Sequence, residues 1–164
     1  MKLLLNVKLN VDVKLVSEFK LKLQSDMKDA LRAKEKARLT TIRLVLAAIK
    51  QIEVDERVDV TDSDVLIILD KMAKQRKESI NQFEKAKRDD LIAIEKFELE
   101  IIQSYLPEPL SAAEIIGHVE QAIADTGATS MRDMGKVMAI LKPIFQGRAD
   151  MNLASKQIKE KLAN

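Results

Sequence analysis

The sequence predicts an all-α protein with an N-terminal lobe of about four helices, arranged as long hairpins, and a small three-helix C-terminal domain. Three observations predict it. Apolar residues recur at spacings of three and four over most of the 164 positions, the spacing that lines one face of an α-helix. Only four Gly and three Pro interrupt the chain, and 33% of its residues are charged, so turns are few and helix surfaces well solvated. Aromatic residues make up 3%, which leaves Leu, Ile, Val, Met and Ala to fill the cores.

One segment departs from the helical period. Leu3, Leu5, Val7, Leu9, Val11, Val13 and Leu15 alternate with Leu4, Asn6, Lys8, Asn10, Asp12 and Lys14, a period of two that reads as a strand or strand-like extension. Residues 1–16 are therefore set apart as an extension. From Ser17 the period is 3.6. A first helix is expected over about 18–34, burying Phe19, Leu23, Met27, Ala30 and Leu31, and a second over 36–57, burying Leu39, Ile42, Leu46 and Ile49. Thr61 and Asp64 form a capping box that opens a third helix over 62–87, with Val65, Leu69, Met72, Ile80 and Phe83 on its stripe.

A fourth helix begins at Asp89 or Asp90, carries Leu91, Ile94, Ile101, Ile102 and Tyr105, and ends at YLPEPLS. There Pro107 restricts Leu106, and Pro109 removes another backbone donor. This junction divides an N-terminal lobe, 17–106, from a C-terminal domain, 107–164. In the latter, Ser111 and Glu114 cap a helix over 112–125 that Gly127 closes in a left-handed conformation. Ser130 with Asp133 opens another that Gly147 ends, with Pro143 expected to fray or bend its last turn. Asp150 or Asn152 caps a terminal helix over 153–163.

The strings KQRKESINQFEKAKRDDL, YLPEPLS and GATSMRDMGKVMAILKPIFQGRAD, in this order and spacing, resemble the GatB/YqeY family, specifically its free-standing YqeY-like members. The resemblance runs from about Leu21 to the C-terminus. It implies an all-helical two-part fold. It also implies likeness to the tail domain of the GatB subunit of glutamyl/aspartyl-tRNA amidotransferase, a carbon-nitrogen ligase whose small helical tail touches tRNA. Two departures stand out: residues 1–16 lie outside the match, and Met151 follows G-x-A-D where family members commonly have Gly.

Composition removes several chemistries. There is no Cys and a single His, His118, so disulfides, thiolate nucleophiles and sites needing two imidazoles are excluded. The eight Ser are scattered rather than gathered in an amidase-like segment, and no phosphate-binding G-x-x-x-x-G-K-[ST] loop is present. Independent catalysis is not expected, amidotransferase activity would belong to a complex, and no cofactor or metal is implied. His118 is read as a half-exposed helix or interface residue, with a ligand or base as the sharper alternative.

No apolar run approaches 18 residues, so no membrane-spanning helix is expected. The N-terminus lacks a signal-peptide pattern, and the expectation is a cytoplasmic protein. The formal charge of +2 arises from residues 1–20, because 21–106 carry 17 basic and 17 acidic side chains and 107–164 seven of each. Basic surface must therefore be local.

Two candidate RNA-contact sets follow. On the third helix, Lys74, Lys77, Lys85 and Arg88 project opposite the Val65/Leu69/Phe83 stripe. In the tail, Arg132, Lys136, Lys142 and Arg148 form the set that the amidotransferase resemblance favours. The partner they suit is tRNA or another structured RNA, contacted through phosphates and shape. Sparse aromatics argue against base stacking as the means of reading sequence, and no DNA sequence reading is expected. The competing account is a solvated helix face or maintenance of the fold. A protein-interaction module using the groove between the lobes is the alternative function, with Met131, Met134 and Met138 as adaptable lining or as core filling.

One structural pair is predicted. On a helical wheel Arg76 falls inside the apolar stripe of the third helix and Glu98 inside that of the fourth. An antiparallel hairpin turning near Arg88 brings them together as a partly buried salt bridge, bidentate if space permits, with Glu95 as substitute partner. An anion site around Arg76 is the sharper alternative.

Overall fold

The computed structural model describes residues 17–163. Its seven helices are α1 (Glu18–Arg32), α2 (Lys36–Glu56), α3 (Asp62–Lys85), α4 (Asp89–Gln103), α5 (Ala112–Thr126), α6 (Met134–Phe145) and α7 (Met151–Leu162). A 3₁₀ turn over Met131–Asp133 precedes α6, and no strand occurs among the described residues. The all-α reading is correct. The strand-like reading of the extension lies outside the described residues.

Local chemistry explains the helix boundaries. Thr61 and Asp64, and again Ser111 and Glu114, form reciprocal capping boxes, satisfying amides that the first helical turn leaves without partners. The hydrogen bonds from the Thr61 hydroxyl and backbone hold the Asp64 carboxyl below its ordinary range. Those from the Ser111 backbone and hydroxyl do the same for Glu114. Gly127 closes α5 at φ 62°. Asp150 accepts the Asn152 N–H at 2.8 Å, so α7 starts at Met151, two residues earlier than expected. Met151 is helical and needs no positive φ; the left-handed residue of this connection is Gly147, at φ 69°. The segment after Ser130 begins as the 3₁₀ turn rather than directly as α6, and α6 continues through Pro143 to Phe145.

Three connections in the N-terminal lobe place a non-glycine in the left-handed region: Lys34, Arg57 and Lys87, at φ 60°, 54° and 54°. Around Lys34 and Lys87 the chain makes helix-ending hydrogen bonds, Glu35 N–H to the Ala30 carbonyl and Arg88 N–H to the Phe83 carbonyl, each at 3.0 Å. A side chain there is strained where glycine is not. Lys34→Gly and Lys87→Gly should therefore each stabilise the fold by about 0.5–1 kcal/mol. The check is a higher urea midpoint with an unchanged slope, and a lower midpoint would refute it.

The helices build two cores. The first joins Leu23, Ile42, Val45, Ile49, Val65, Leu69, Ile101, Ile102 and Tyr105, all buried, from α1 to α4 and just beyond. The second joins Val119, Val137, Leu141, Phe145, Ala154 and Ile158 from α5 to α7. Leu106 packs against the first and Leu110 belongs to the second, so the proline segment lies where the cores meet.

Two residues expected in the core are exposed instead. Leu31, at the last turn of α1, is 57% exposed because it lies to one side of the Leu23/Ala30 stripe. Ile94 is 54% exposed for a tertiary reason. Buried positions on α3 stop at Ile80 and those on α4 start at Ile101, so the outer end of the α3–α4 hairpin packs chiefly on itself. It projects beyond α1 and α2.

Inside the first core, the Tyr105 hydroxyl donates to Asp26 at 2.6 Å, while the Lys22 ammonium lies 5.0 Å from the centre of the Tyr105 ring. Burial is the largest single influence on Asp26 and pushes it up. The hydrogen bonds from Tyr105 and Lys22 and the positive charges of Lys22 and Arg38 outweigh it, and the carboxyl is held below its ordinary value. A depressed folded-state value means that this contribution is complete above the unfolded value near 3.8 and is lost as pH falls through the folded one. Tyr105→Phe removes one of these hydrogen bonds and should flatten the decline in thermal midpoint below pH 4. An identical pH profile for variant and parent would exclude the linkage.

Candidate functional site

Where the two cores meet, a cleft of about 570 Å³ opens between α3 and the C-terminal helices. Its lining draws on three separated stretches of sequence and on Ile115 of α5. Asp70, Ala73, Lys74 and Lys77 come from α3, Gln103 and residues 106–110 from the end of α4 and the proline segment, and Gly147 to Asp150 with Leu153 from the start of α7 and the turn before it. The two strings YLPEPLS and G-x-A-D, some forty residues apart, are in direct contact here.

Arg148 makes that contact. Its Nε–H donates to the Glu108 carbonyl at 3.0 Å, and its own carbonyl accepts the Leu110 N–H at 2.8 Å. Gly147 fits closely beneath Leu106: an added Cβ would stand 3.2 Å from the Leu106 side chain, on a residue already at positive φ. The left-handed conformation favours glycine here, and an added Cβ would in addition push the Leu106 side chain aside. Sequence reasoning identified Arg148 by its charge and missed its second role of pinning the proline segment. The signal was available only as co-occurrence of the two motifs.

The predicted basic residues separate into four places. Lys74, Lys77 and Arg148 share the cleft. Lys74 pairs with Asp70 at 2.9 Å, whereas Lys77 forms no ion pair among the described residues. Lys85 and Arg88 sit at the outer end of the hairpin. There Arg88 is engaged by Asp90 through two hydrogen bonds of 3.0 and 2.8 Å, which hold the Asp90 carboxyl down at about 2. Arg132 and Lys136 flank the start of α6, where Lys136 lies 3.5 Å from Asp133. Lys142 lies towards the opposite end of the same helix, about 9 Å beyond Lys136 at 1.5 Å per residue and about 120° around the axis from it. The tail residues therefore do not form one patch.

The Arg76 guanidinium lies between two carboxylates, with Nε 3.0 Å from Glu98 and Nη1 3.3 Å from Glu95. The arrangement is shared rather than bidentate. The Nε–H has no acceptor in hydrogen-bonding geometry, so its attraction to Glu98 is Coulombic.

The remaining candidates are accounted for by packing. His118 is half-buried, its ring edge-on to Phe145 with centroids 6.0 Å apart. Met134 and Met138 pack against the second core and Met131 is exposed, so the three methionines do not line a common groove. No cluster of metal-ligating side chains occurs among the described residues. No described helix is long and apolar enough to cross a membrane.

Comparison with known proteins adds a family and its relatives. A family model described as Yqey-like protein matches residues 20–162. The chain is 33% identical, over 85% of its length and 78% of the relative's, to altered inheritance of mitochondria protein 41, mitochondrial, of Pyrenophora tritici-repentis. It is 43% identical to the protein of the same name from Eremothecium gossypii, over 56% of this chain and 51% of the relative. With that from Saccharomyces cerevisiae strain YJM789 it shares 40% identity over 55% of this chain and 50% of the relative. The matched stretches thus span about half the length of these two relatives. Their names correct the cytoplasmic placement expected from the sequence, since each is a mitochondrial protein by name.

Proposed function

For a chain that belongs to the YqeY-like protein family, we propose the role of a non-catalytic module that contacts structured RNA, with tRNA as the substrate class that the amidotransferase tail resemblance favours. The relatives' names carry a mitochondrial setting into this reading. The observation that supports it is the convergence of Lys74 and Lys77 from one lobe with Arg148 from the other on a single cleft. Phosphates attract such cations irrespective of sequence, and binding releases counterions. Cations that both lobes contribute to one cleft hold an RNA in one orientation relative to the whole molecule, which scattered surface lysines do not.

Lys77→Ala combined with Arg148→Gln should weaken tRNA binding at least about tenfold at low salt, and should make the salt dependence shallower by about two phosphate contacts. Arg132→Ala combined with Lys136→Ala, remote from the cleft, should do less. Fluorescence anisotropy across a salt series measures both. No binding by the parent at 50 mM salt, or equal losses in the two variants, would refute the reading.

The apolar part of the same cleft, Leu106, Pro107, Ile115 and Leu153, supports a protein partner as the second reading. Pull-down insensitive to nuclease would favour it.

A further inference from the structure

We propose that the cleft between the lobes binds one unpaired nucleotide, with its phosphate on Lys77 and Arg148 and its base against the wall formed by Leu106, Pro107 and Leu153. The proposal deepens the RNA reading and rests on it for the identity of the polymer. The nucleotide site itself is testable without RNA.

Shape is the first argument. A duplex presents its phosphates on a convex ridge, whereas this site is concave. At about 570 Å³ it falls in the range of small-ligand pockets, roughly 300–1,000 Å³. An unstacked base with its sugar and phosphate fills such a space, and RNA is read most specifically through bases splayed out of the helix.

Charge placement is the second. The lining holds three cations and three carboxylates, Lys74, Lys77 and Arg148 against Asp70, Glu108 and Asp150, but they are not equally available. Asp70 neutralises Lys74 at 2.9 Å, Asp150 keeps its charge while capping α7, and the Glu108 carboxylate forms no ion pair among the described residues. Lys77 has no ion pair among the described residues. Arg148 gives Nε to the Glu108 carbonyl, and a guanidinium retains four further N–H donors on its two Nη atoms. The same side chain can thus pin the proline segment and hold a phosphate, which a lysine ammonium at the end of a flexible stem does less well. Lys77 and the Nη donors of Arg148 are therefore the cationic groups of the lining left to meet an anion.

Part of the lining is apolar: Leu153, 57% exposed, belongs to it together with Leu106, Pro107 and Pro109. With no aromatic side chain in the cleft, a base would be covered by leucine and proline faces. The exposed Gln103 amide supplies a donor and an acceptor for a base edge. Recognition of this kind tolerates different bases.

The test uses the full chain in two arms. In the first, AMP, CMP and inorganic phosphate are titrated separately and followed by amide chemical shifts. Both nucleotides should give saturable shifts at Lys77, Gln103 and Leu153, and phosphate should bind about fivefold more weakly because it lacks the apolar burial of the base. Lys77→Ala should weaken nucleotide binding by a similar factor. Leu153→Asp, at an exposed position, should abolish the advantage over phosphate while leaving the spectrum folded. No saturable nucleotide shift, or equal affinity for nucleotide and phosphate, overturns the proposal.

In the second arm, an RNA hairpin with an unpaired 3′ tail is compared with the same hairpin blunt-ended. Tighter binding of the tailed form that Leu153→Asp erases supports the site. Equal affinities without nucleotide shifts overturn the nucleotide site and leave the RNA reading standing. Nucleotide shifts without affinity for either hairpin overturn the RNA reading and leave a nucleotide site.

Discussion

Phe145→Ala should unfold α5, α6 and α7 while α1 to α4 remain folded. Phe145 is fully buried at the centre of the second core, against Val119, Val137, Leu141, Ala154 and Ile158, and His118 meets its ring edge-on. Truncating a buried phenylalanine costs about 3–5 kcal/mol from lost transfer energy and the cavity left behind. A group of three short helices has little stability to spare. The first core shares none of these residues, so its own packing is untouched. The chain supplies a convenient reporter. Tyr105 is its single tyrosine, there is no tryptophan, and Tyr105 lies in the first core. Helical circular dichroism should fall at 25 °C while tyrosine emission keeps its native value until a separate transition at higher urea. Simultaneous loss of both signals would show that the lobes unfold as one unit.

Arg76→Met should destabilise the α3–α4 hairpin by about 3 kcal/mol, because it leaves Glu95 and Glu98 facing each other without a counter-charge. The three side chains are 23%, 15% and 16% exposed, sheltered enough for an unpaired charge to be costly and wet enough to keep the effect below that of a fully buried pair. Glu98→Gln should cost less, about 1–2 kcal/mol, since Glu95 still neutralises the guanidinium. Combining Arg76→Met with Glu95→Gln and Glu98→Gln should recover much of the loss. Because the outer hairpin packs chiefly on itself, hydrogen exchange should accelerate first between about residues 77 and 93, ahead of the core of α2. Effects that are small and additive across the three positions would mean that the cluster contributes nothing as a unit.

Some tertiary geometry was legible in the sequence because it depends on angle along one helix. Arg76 falls within the apolar stripe of α3 and Glu98 within that of α4, and a short connection forces the two helices antiparallel. Their proximity follows, with Glu95 one turn away. The division of the guanidinium between both carboxylates was not legible, since it depends on distances of a few tenths of an ångström across the hairpin. The basic residues show the same limit. Charge and periodicity selected Lys74, Lys77 and Arg148 along with five others, but nothing in a one-dimensional pattern distinguishes those that share a cleft from those at the far ends of α3 and α6.

By itself the sequence determined the order of the seven helices, the capping boxes of α3 and α5, the Gly127 end of α5 and the helix break at Pro107 and Pro109, because hydroxyl caps, left-handed glycines and missing proline amides act within four residues of themselves. It also determined the family, through strings whose order and spacing survive without any contact being known. Only the tertiary structure decided that Ile94 is exposed, since burial there depends on whether α1 and α2 reach the outer hairpin. Only it decided that the proline segment and the Gly147–Asp150 turn are one structure, held by Arg148. Local rules act through a few covalent bonds, whereas a cleft is made by side chains that meet only after two cores have formed and set their helices at a fixed distance.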